Sequence, residues 1–182
     1  DDAVRPDRAL RFPRDHGAHP GSRIEWWYIT GWLTSGTTGD EGLMGFQLTF
    51  FRSRTGLGAG LVGHLVPRQL LFAHAAITEL KPGGHRHAQR LARWSEDERD
   101  AGPIASRSDT QLRLGAWRLQ RQAAADGSRF DAHLAAPEAG FTLDLALTST
   151  QPLLLQGAQG FSLKGPPVAP GQPAHASLYY SM

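Results

Sequence analysis

The sequence predicts an all-β protein, either an antiparallel β-barrel or a strongly bent sandwich, with roughly eight to ten strands. Segments in which apolar and polar residues alternate recur along the chain, and turn signals separate them at short intervals. The chain carries 21 Gly and 12 Pro without a repeat, which indicates many turns. No long stretch shows the periodicity of an amphipathic helix.

Composition narrows the class of protein. Lys and Arg number 19 against 17 Asp and Glu, and the two signs are interspersed, so no basic stripe suggests a nucleic-acid partner. The sequence lacks a run of about 18 apolar residues, so no transmembrane span is predicted. It has no Cys, which excludes disulfides and cysteine-ligated metal.

The two ends of the sequence suggest how the protein is processed and whether the natural chain is longer. The chain begins at Asp1 without an initiator Met, which is typical of a mature protein after signal removal or of a cut chain. We therefore expect a periplasmic or secreted location. The last residues, from Tyr179 on, still have strand character, so we expect the natural protein to continue. Residues 1–23 are polar and hold three Pro, and they are predicted to form an extended arm before a β-domain over 24–182.

The first strand is predicted at Ile24–Leu33, where aromatic and β-branched residues dominate. Trp26 and Tyr28 share one face, and Glu25 and Trp27 share the other. Both faces are largely apolar, which is typical of a strand that is covered on both sides.

Turn chemistry predicts how neighbouring strands connect. Residues 35–40 are rich in Gly, Ser and Thr and lead to a second strand over 43–52, which predicts a hairpin. Within 111–122 the alternation slips at Gly115-Ala116, which predicts a bulge in one strand. Asp126-Gly127 predicts a further hairpin turn.

Several polar residues interrupt apolar strand segments, and burial would cost free energy unless each finds a partner. They are Glu25, Gln47, Arg52 and His74. One interpretation is a satisfied structural network, for example Glu25 paired with Arg52 or Arg90. The other is a cavity lining that orients or protonates a ligand. Desolvation among tryptophan rings would favour an uncharged Glu25 that acts as a general acid, whereas an Arg partner would hold it charged.

Aromatic residues are concentrated in the first half of the chain. They include Trp26, Trp27, Tyr28, Phe51 and Phe72. Such residues form a hydrophobic core or, alternatively, line a site for a long apolar ligand or a carbocation.

Histidines form two close pairs, His16 with His19 and His85 with His87. Neither pair belongs to a known metal signature, so surface histidines are predicted, with no metal and no cofactor. No G-x-S-x-G nucleophile motif is present, so a hydrolase function has no motif to support it.

Five segments resemble the AttH/CrtC family. They are FPRDHGAHP with RIEWWYITG over 12–31, GFQLTFFR at 45–52, FAHAAIT at 72–78, LLLQG at 153–157 and YYS at 179–181. The family contains carotenoid 1,2-hydratases and proteins described as secreted hydrolases. The resemblance implies two lipocalin-like (calycin-type) halves in one chain, of which this sequence is similar to the first, so a second half is an expected partner.

The resemblance leaves three functions open. An enzyme of this kind would hydrate an isoprenoid double bond, with Glu25 as the acid and with His74 and Gln47 placing water. A non-catalytic carrier would hold an apolar molecule beside an ABC export system, and a purely structural half would only pack against the second half. In either of the first two cases the expected ligand-binding residues are Trp26, Trp27, Tyr28, Gln47, Phe51, Arg52, Phe72 and Arg90.

Overall fold

The fold is all-β and antiparallel, as the sequence predicts. A computed structural model describes residues 4–34, 42–57, 66, 68–80, 83–96, 102–124, 127–167, 169 and 174–182. The turn predicted at 35–40 and Asp126 of the second turn lie outside the described residues. Nine strands form the two main sheets, and four short strands form two further ladders in the described part of the chain.

The first sheet has four strands in chain order. They are β1 (Ile24–Leu33), β2 (Met44–Arg54), β3 (Gln69–Glu79) and β4 (Gly84–Trp94). The register of β1 on β2 confirms the predicted hairpin, with Trp27 opposite Phe50. Because β1 lies at the end of this order, its outer edge pairs with no other named strand in the described residues.

The second sheet has five strands, also in chain order. They are β5 (Ile104–Ala105), β6 (Gln111–Leu114), β7 (Trp117–Ala124), β8 (Gly127–Ala136) and β9 (Phe141–Thr148). The predicted bulge at Gly115-Ala116 is wrong, because these two residues form a tight turn that joins β6 to β7 and places Leu114 opposite Trp117. Gly115 has a φ of 62°, the left-handed conformation that two-residue hairpin turns require.

Short strands near the C-terminus form two further ladders. They are β10 (Leu154–Leu155) paired with β13 (Tyr180–Ser181), and β11 (Phe161–Leu163) paired with β12 (Ala176–Leu178). β12 and β13, together with the 3₁₀ turn at Arg14–His16 in the N-terminal arm, lie beside the edge of β1.

The core lies between the inward faces of the two main sheets. Buried side chains of the first sheet, such as Leu48, Phe50 and Leu71, join Trp117 and Leu134 of the second in one cluster. Full burial of each such side chain contributes about 1.5–3 kcal/mol. No ladder joins the two main sheets within the described residues, so the architecture there is a bent sandwich and not a closed barrel.

One end of the sandwich, beside β4, is closed by two arginines. Arg86 Nη1 donates a hydrogen bond to the Gly140 carbonyl oxygen at 2.7 Å. The Arg90 guanidinium lies 4.8 Å from the centroid of the Trp117 ring, and its Nη2 lies 2.6 Å from Glu138 Oε1. These contacts tie β4 to the β8–β9 connection.

Candidate functional site

A cleft of about 820 Å³ lies at the opposite end, along the edge of β1. The N-terminal arm and the C-terminal strands β12 and β13 form its remaining walls. Its size lies within the range of small-molecule sites, about 300–1,000 Å³. Its apolar wall combines both main sheets and includes Trp27, Ile29, Leu119, Phe130 and Leu147.

Trp27 anchors the N-terminal arm over this cleft. It lies on the inward face of β1, and its indole Nε1 donates a hydrogen bond to the His16 carbonyl oxygen at 2.8 Å. Thr110 Oγ1 donates to the same oxygen at 3.1 Å. Two elements of the sandwich thus hold the 3₁₀ turn of the arm in place.

Close backbone packing fixes the residues that follow the 3₁₀ turn. The Ala18 amide donates to the Ser106 carbonyl oxygen at 2.7 Å. A Cβ atom on Gly17 would lie 2.6 Å from the carbonyl carbon of Arg107, so only glycine fits there. The arm therefore contacts the β5–β6 connection directly through its main chain.

A chain of alternating charges runs from the arm into β1. Asp15 Oδ1 lies 3.1 Å from Arg8 Nη2 and 2.7 Å from His19 Nε2. The other ring nitrogen of His19, Nδ1, lies 3.4 Å from Glu25 Oε2. Both Glu25 oxygens also accept hydrogen bonds from the His19 amide, at 2.8 and 2.9 Å.

Arg52 completes this chain of charges from the inward face of β2. Its side chain is 0% exposed, and its Nη2 lies 3.3 Å from Glu25 Oε2. Its Nη1 donates to Gln69 Oε1 at 3.0 Å, and Gln69 Nε2 donates to the Pro20 carbonyl oxygen at 3.1 Å. Of the two partners considered for Glu25, the structure brings Arg52 to it, whereas Arg90 lies at the closed end.

Protonation in this network follows the hydrogen bonds. Burial opposes charge on Asp15, but the hydrogen bonds from His19 and the Arg11 amide outweigh it, so the pKa of Asp15 lies below its usual value. Burial also favours a neutral His19 ring, but the two carboxylates on its nitrogens outweigh burial and raise the pKa of His19. A protonated His19 donates from both nitrogens and bridges Asp15 and Glu25.

His16 and Tyr180 form a separate pair beside the cleft, in which His16 is buried and Tyr180 is half-buried. His16 Nδ1 lies 2.7 Å from the Tyr180 hydroxyl oxygen, and Phe12 packs against both rings. Burial and the charge of Arg121 lower the pKa of His16 to about 4. Burial raises the pKa of Tyr180. Both groups are therefore neutral at physiological pH.

The rim of the cleft carries a second tyrosine pair. The hydroxyl groups of Tyr28 and Tyr179 are hydrogen-bonded, and their rings stack with a centroid separation of 6.4 Å. The hydrogen bond to Tyr28, with burial, raises the pKa of Tyr179 to about 12. Lys164 Nζ lies 5.6 Å from the centroid of the Tyr179 ring.

Several predicted site residues lie outside the cleft, on the outer face of the first sheet. Register places Trp26, Phe51, Phe72 and Leu91 in one row across the four strands, with the Phe51 and Phe72 rings stacked at 4.7 Å. Only Trp26 of this row also reaches the cleft. Gln47 and His74 are exposed on the same outer face.

The outer face of β1 differs from its predicted environment. Its apolar residues suggested a strand covered on both sides, but Trp32 is 75% exposed and Trp26 and Tyr28 are also exposed. The alternation on β1 correctly grouped the residues of each face. In the described residues, only the face of Glu25 and Trp27 is packed against the core.

The prediction that His16 and His19 are surface residues is wrong. His16 is 3% exposed, and the His19 side chain is enclosed by Asp15 and Glu25. Sequence reasoning also missed Asp15 and the C-terminal tyrosines as parts of the site. The signal was available, since Asp15, His16 and His19 lie in the segment that carries the family resemblance.

In the described ranges, no three His, Cys, Asp or Glu side chains form a group that could bind a metal ion. Asp15, His19 and Glu25 are committed to one another. No helix in the described part of the chain has the length and apolar character to cross a membrane.

Comparison with known proteins places this arrangement in a family. The sequence profile of the AttH-like family matches residues 3–182, which include every element described above. The chain belongs to the AttH-like family. The AttH-like fold seen here is also similar to the crystal structure of a candidate AttH protein from Nitrosomonas europaea, with 41% sequence identity and a TM-score of 0.74.

The extent of that match differs between the two proteins. It covers 97% of this AttH-like chain but 48% of the Nitrosomonas chain, so this chain spans about half the length of that solved relative. No curated protein matches the sequence.

Proposed function

We propose that this chain binds an apolar small molecule in the cleft along β1. The observation that supports this function is the cleft itself, whose volume of about 820 Å³ is lined by Trp27, Phe130 and aliphatic side chains from both sheets. Sites for small molecules are mostly apolar and carry a few polar groups that fix orientation. Here those groups are the tyrosine hydroxyls at the rim and the His16–Tyr180 pair.

The contacts of Glu25 favour binding over acid catalysis. Hydration of an alkene requires a protonated acid next to the double bond. Glu25 instead accepts hydrogen bonds from the His19 amide and faces the charged Arg52 side chain. Every one of these contacts comes from a donor or a cation, which favours the ionised carboxylate over a proton-donating acid.

A binding titration with a blocked cleft tests this function. Leu147 lines the cleft and is half-buried, so Leu147→Trp places a larger ring in the cavity. Leu91→Trp is the matched control, because Leu91 is exposed on the outer face of β4. We expect saturable quenching of tryptophan fluorescence by an isoprenoid alcohol such as farnesol. Affinity should fall by about tenfold or more in the Leu147 variant and stay unchanged in the Leu91 variant.

Circular dichroism establishes whether each variant retains the native fold. If Leu147→Trp does not fold, Trp27→Phe offers a milder change of the same wall. Absence of saturable binding to the wild-type chain, or equal effects of the cleft and outer-face substitutions, would overturn the proposal.

A further inference from the structure

Acidic and basic residues around the cleft differ in whether they form ion pairs. Among the described residues that line it, both carboxylates, Asp15 and Glu25, have cationic partners within ion-pair distance. Two cations of the lining, Arg23 and Lys164, form no ion pair in the described residues. The cleft therefore presents positive charge that the described residues do not neutralise.

Lys164 lies at the polar rim together with hydroxyl donors. Its ammonium faces the Tyr179 ring, and the Tyr179 hydroxyl is hydrogen-bonded to that of Tyr28, which is exposed at the rim. The Lys164 amide donates to the His175 carbonyl oxygen at 2.7 Å, which fixes the main chain of β11 beside that of β12. A cation and two hydroxyl groups at one end of an apolar cavity are suited to an anionic group.

Ser177 provides an independent observation on β12. Its side chain lines the same cleft, the residue is 8% exposed, and its Oγ has no hydrogen-bond partner among the residues that the structure describes. A buried hydroxyl without a partner costs free energy that a bound acceptor recovers.

We infer that the ligand of this cleft is an amphiphile with an apolar chain and a single anionic head group, which Lys164 and the neighbouring hydroxyl groups hold at the rim. This inference rests on the proposed apolar-binding function and names the class of ligand. The chain of the ligand lies against Trp27, Phe130 and Leu147, and the head group neutralises the charge of Lys164. A carboxylate and a phosphate monoester share the chemistry that the rim recognises.

Three ligands with the same chain test the inference. Tridecanoate, dodecyl phosphate and dodecanol share a twelve-carbon alkyl chain and differ only in the head group. They are titrated below their micelle concentration or solubility limit at a pH where the carboxylate is ionised. We expect at least one anionic ligand to bind about fivefold or more tightly than dodecanol, and this preference should weaken as salt is added. Whichever anionic ligand binds more tightly identifies the head group.

A variant that removes one positive charge distinguishes a specific head-group site from general electrostatic attraction to the protein. Lys164→Gln should remove most of the preference for the anionic ligand and leave the affinity for dodecanol unchanged. Arg118→Gln is the matched control, because Arg118 is exposed on β7 and lies outside the cleft. Equal affinities for the anionic ligands and dodecanol, or equal losses from the two substitutions, would overturn the inference. Failure of all three ligands to bind would instead overturn the proposed function.

Discussion

Glu25 and Arg52 are direct partners across the β1–β2 hairpin, and their side chains meet on the inward face with Oε2 and Nη2 3.3 Å apart. Arg52 is fully buried, and its Nε and Nη2 atoms have no hydrogen-bond acceptor among the described residues. The carboxylate of Glu25 is therefore the main compensation for a buried positive charge. This contact joins the Glu25-Trp26-Trp27-Tyr28 segment of β1 to the GFQLTFFR segment of β2.

Glu25→Gln should destabilise the fold, because it removes this compensation while the amide keeps nearly the same volume. A buried charge that loses its partner costs about 3 kcal/mol, measured as the free energy of unfolding in urea. Glu79→Gln is the control, since Glu79 pairs with Arg86 at a much more exposed position, and its loss should be under about 1 kcal/mol. Similar losses in the two variants would contradict the role assigned to Glu25.

Gly17→Ala should weaken the attachment of the N-terminal arm. The added Cβ would meet the main chain of Arg107 at 2.6 Å, and a main-chain neighbour cannot rotate away. We expect a loss of about 1–3 kcal/mol and faster proteolysis within the arm. Gly102→Ala is the control, because a Cβ there has no heavy atom of the described residues within 4 Å. An arm that stays protected in the Gly17 variant would show that this close packing is not required.

His16 should make the stability of the protein fall in mild acid. The folded state holds the pKa of His16 at about 4, below its usual value of 6.5. Between these two values the unfolded chain binds a proton that the folded chain does not. The free energy of unfolding therefore decreases as the pH falls from about 6.5 to about 4, and this contribution is constant above that window.

A substitution isolates this contribution from those of other groups. His16→Gln cannot take up a proton, so its unfolding free energy should depend less on pH within the same window. His87→Gln, at an exposed position on β4, should keep the dependence of the wild type. Parallel pH curves for the wild type and the His16 variant would contradict the prediction.

Arg90→Met should loosen the closed end of the sandwich. The substitution keeps a flexible apolar chain but removes the guanidinium over Trp117 and its ion pair with Glu138. We expect a loss of about 1 kcal/mol and a changed near-ultraviolet signal of Trp117. Arg118→Met on the exposed face of β7 serves as the control and should change neither quantity.

Local sequence patterns were sufficient to predict the strands and to recognise the family. Alternation and turn residues correctly predicted the β1–β2 hairpin and the all-β class, because strand periodicity and turn conformations depend on neighbouring residues. The same local reasoning failed at Gly115-Ala116, where a slip of alternation reflected a two-residue turn and not a bulge. A turn and a bulge both interrupt the period of two, so alternation alone does not distinguish them.

The site was only partly predictable. The cleft is lined by Glu25, Trp26, Trp27 and Tyr28, as expected of site residues. Arg52, on β2, forms an ion pair with Glu25. Phe51, Phe72, His74 and Gln47 share strands with core residues but lie on the opposite face of the sheet. Alternation tells which residues share a face, but it does not tell which face packs against the second sheet when both are apolar.

The sequence by itself determined the segment that identifies the family, with Glu25-Trp26-Trp27-Tyr28 at its centre, and the strand on which these residues lie. Only the tertiary structure decided what that strand faces. It brought His16 to Tyr180 across 164 positions of the chain and Tyr28 to Tyr179 across 151. Such contacts depend on how the two sheets and the chain ends pack, and no local periodicity encodes that packing.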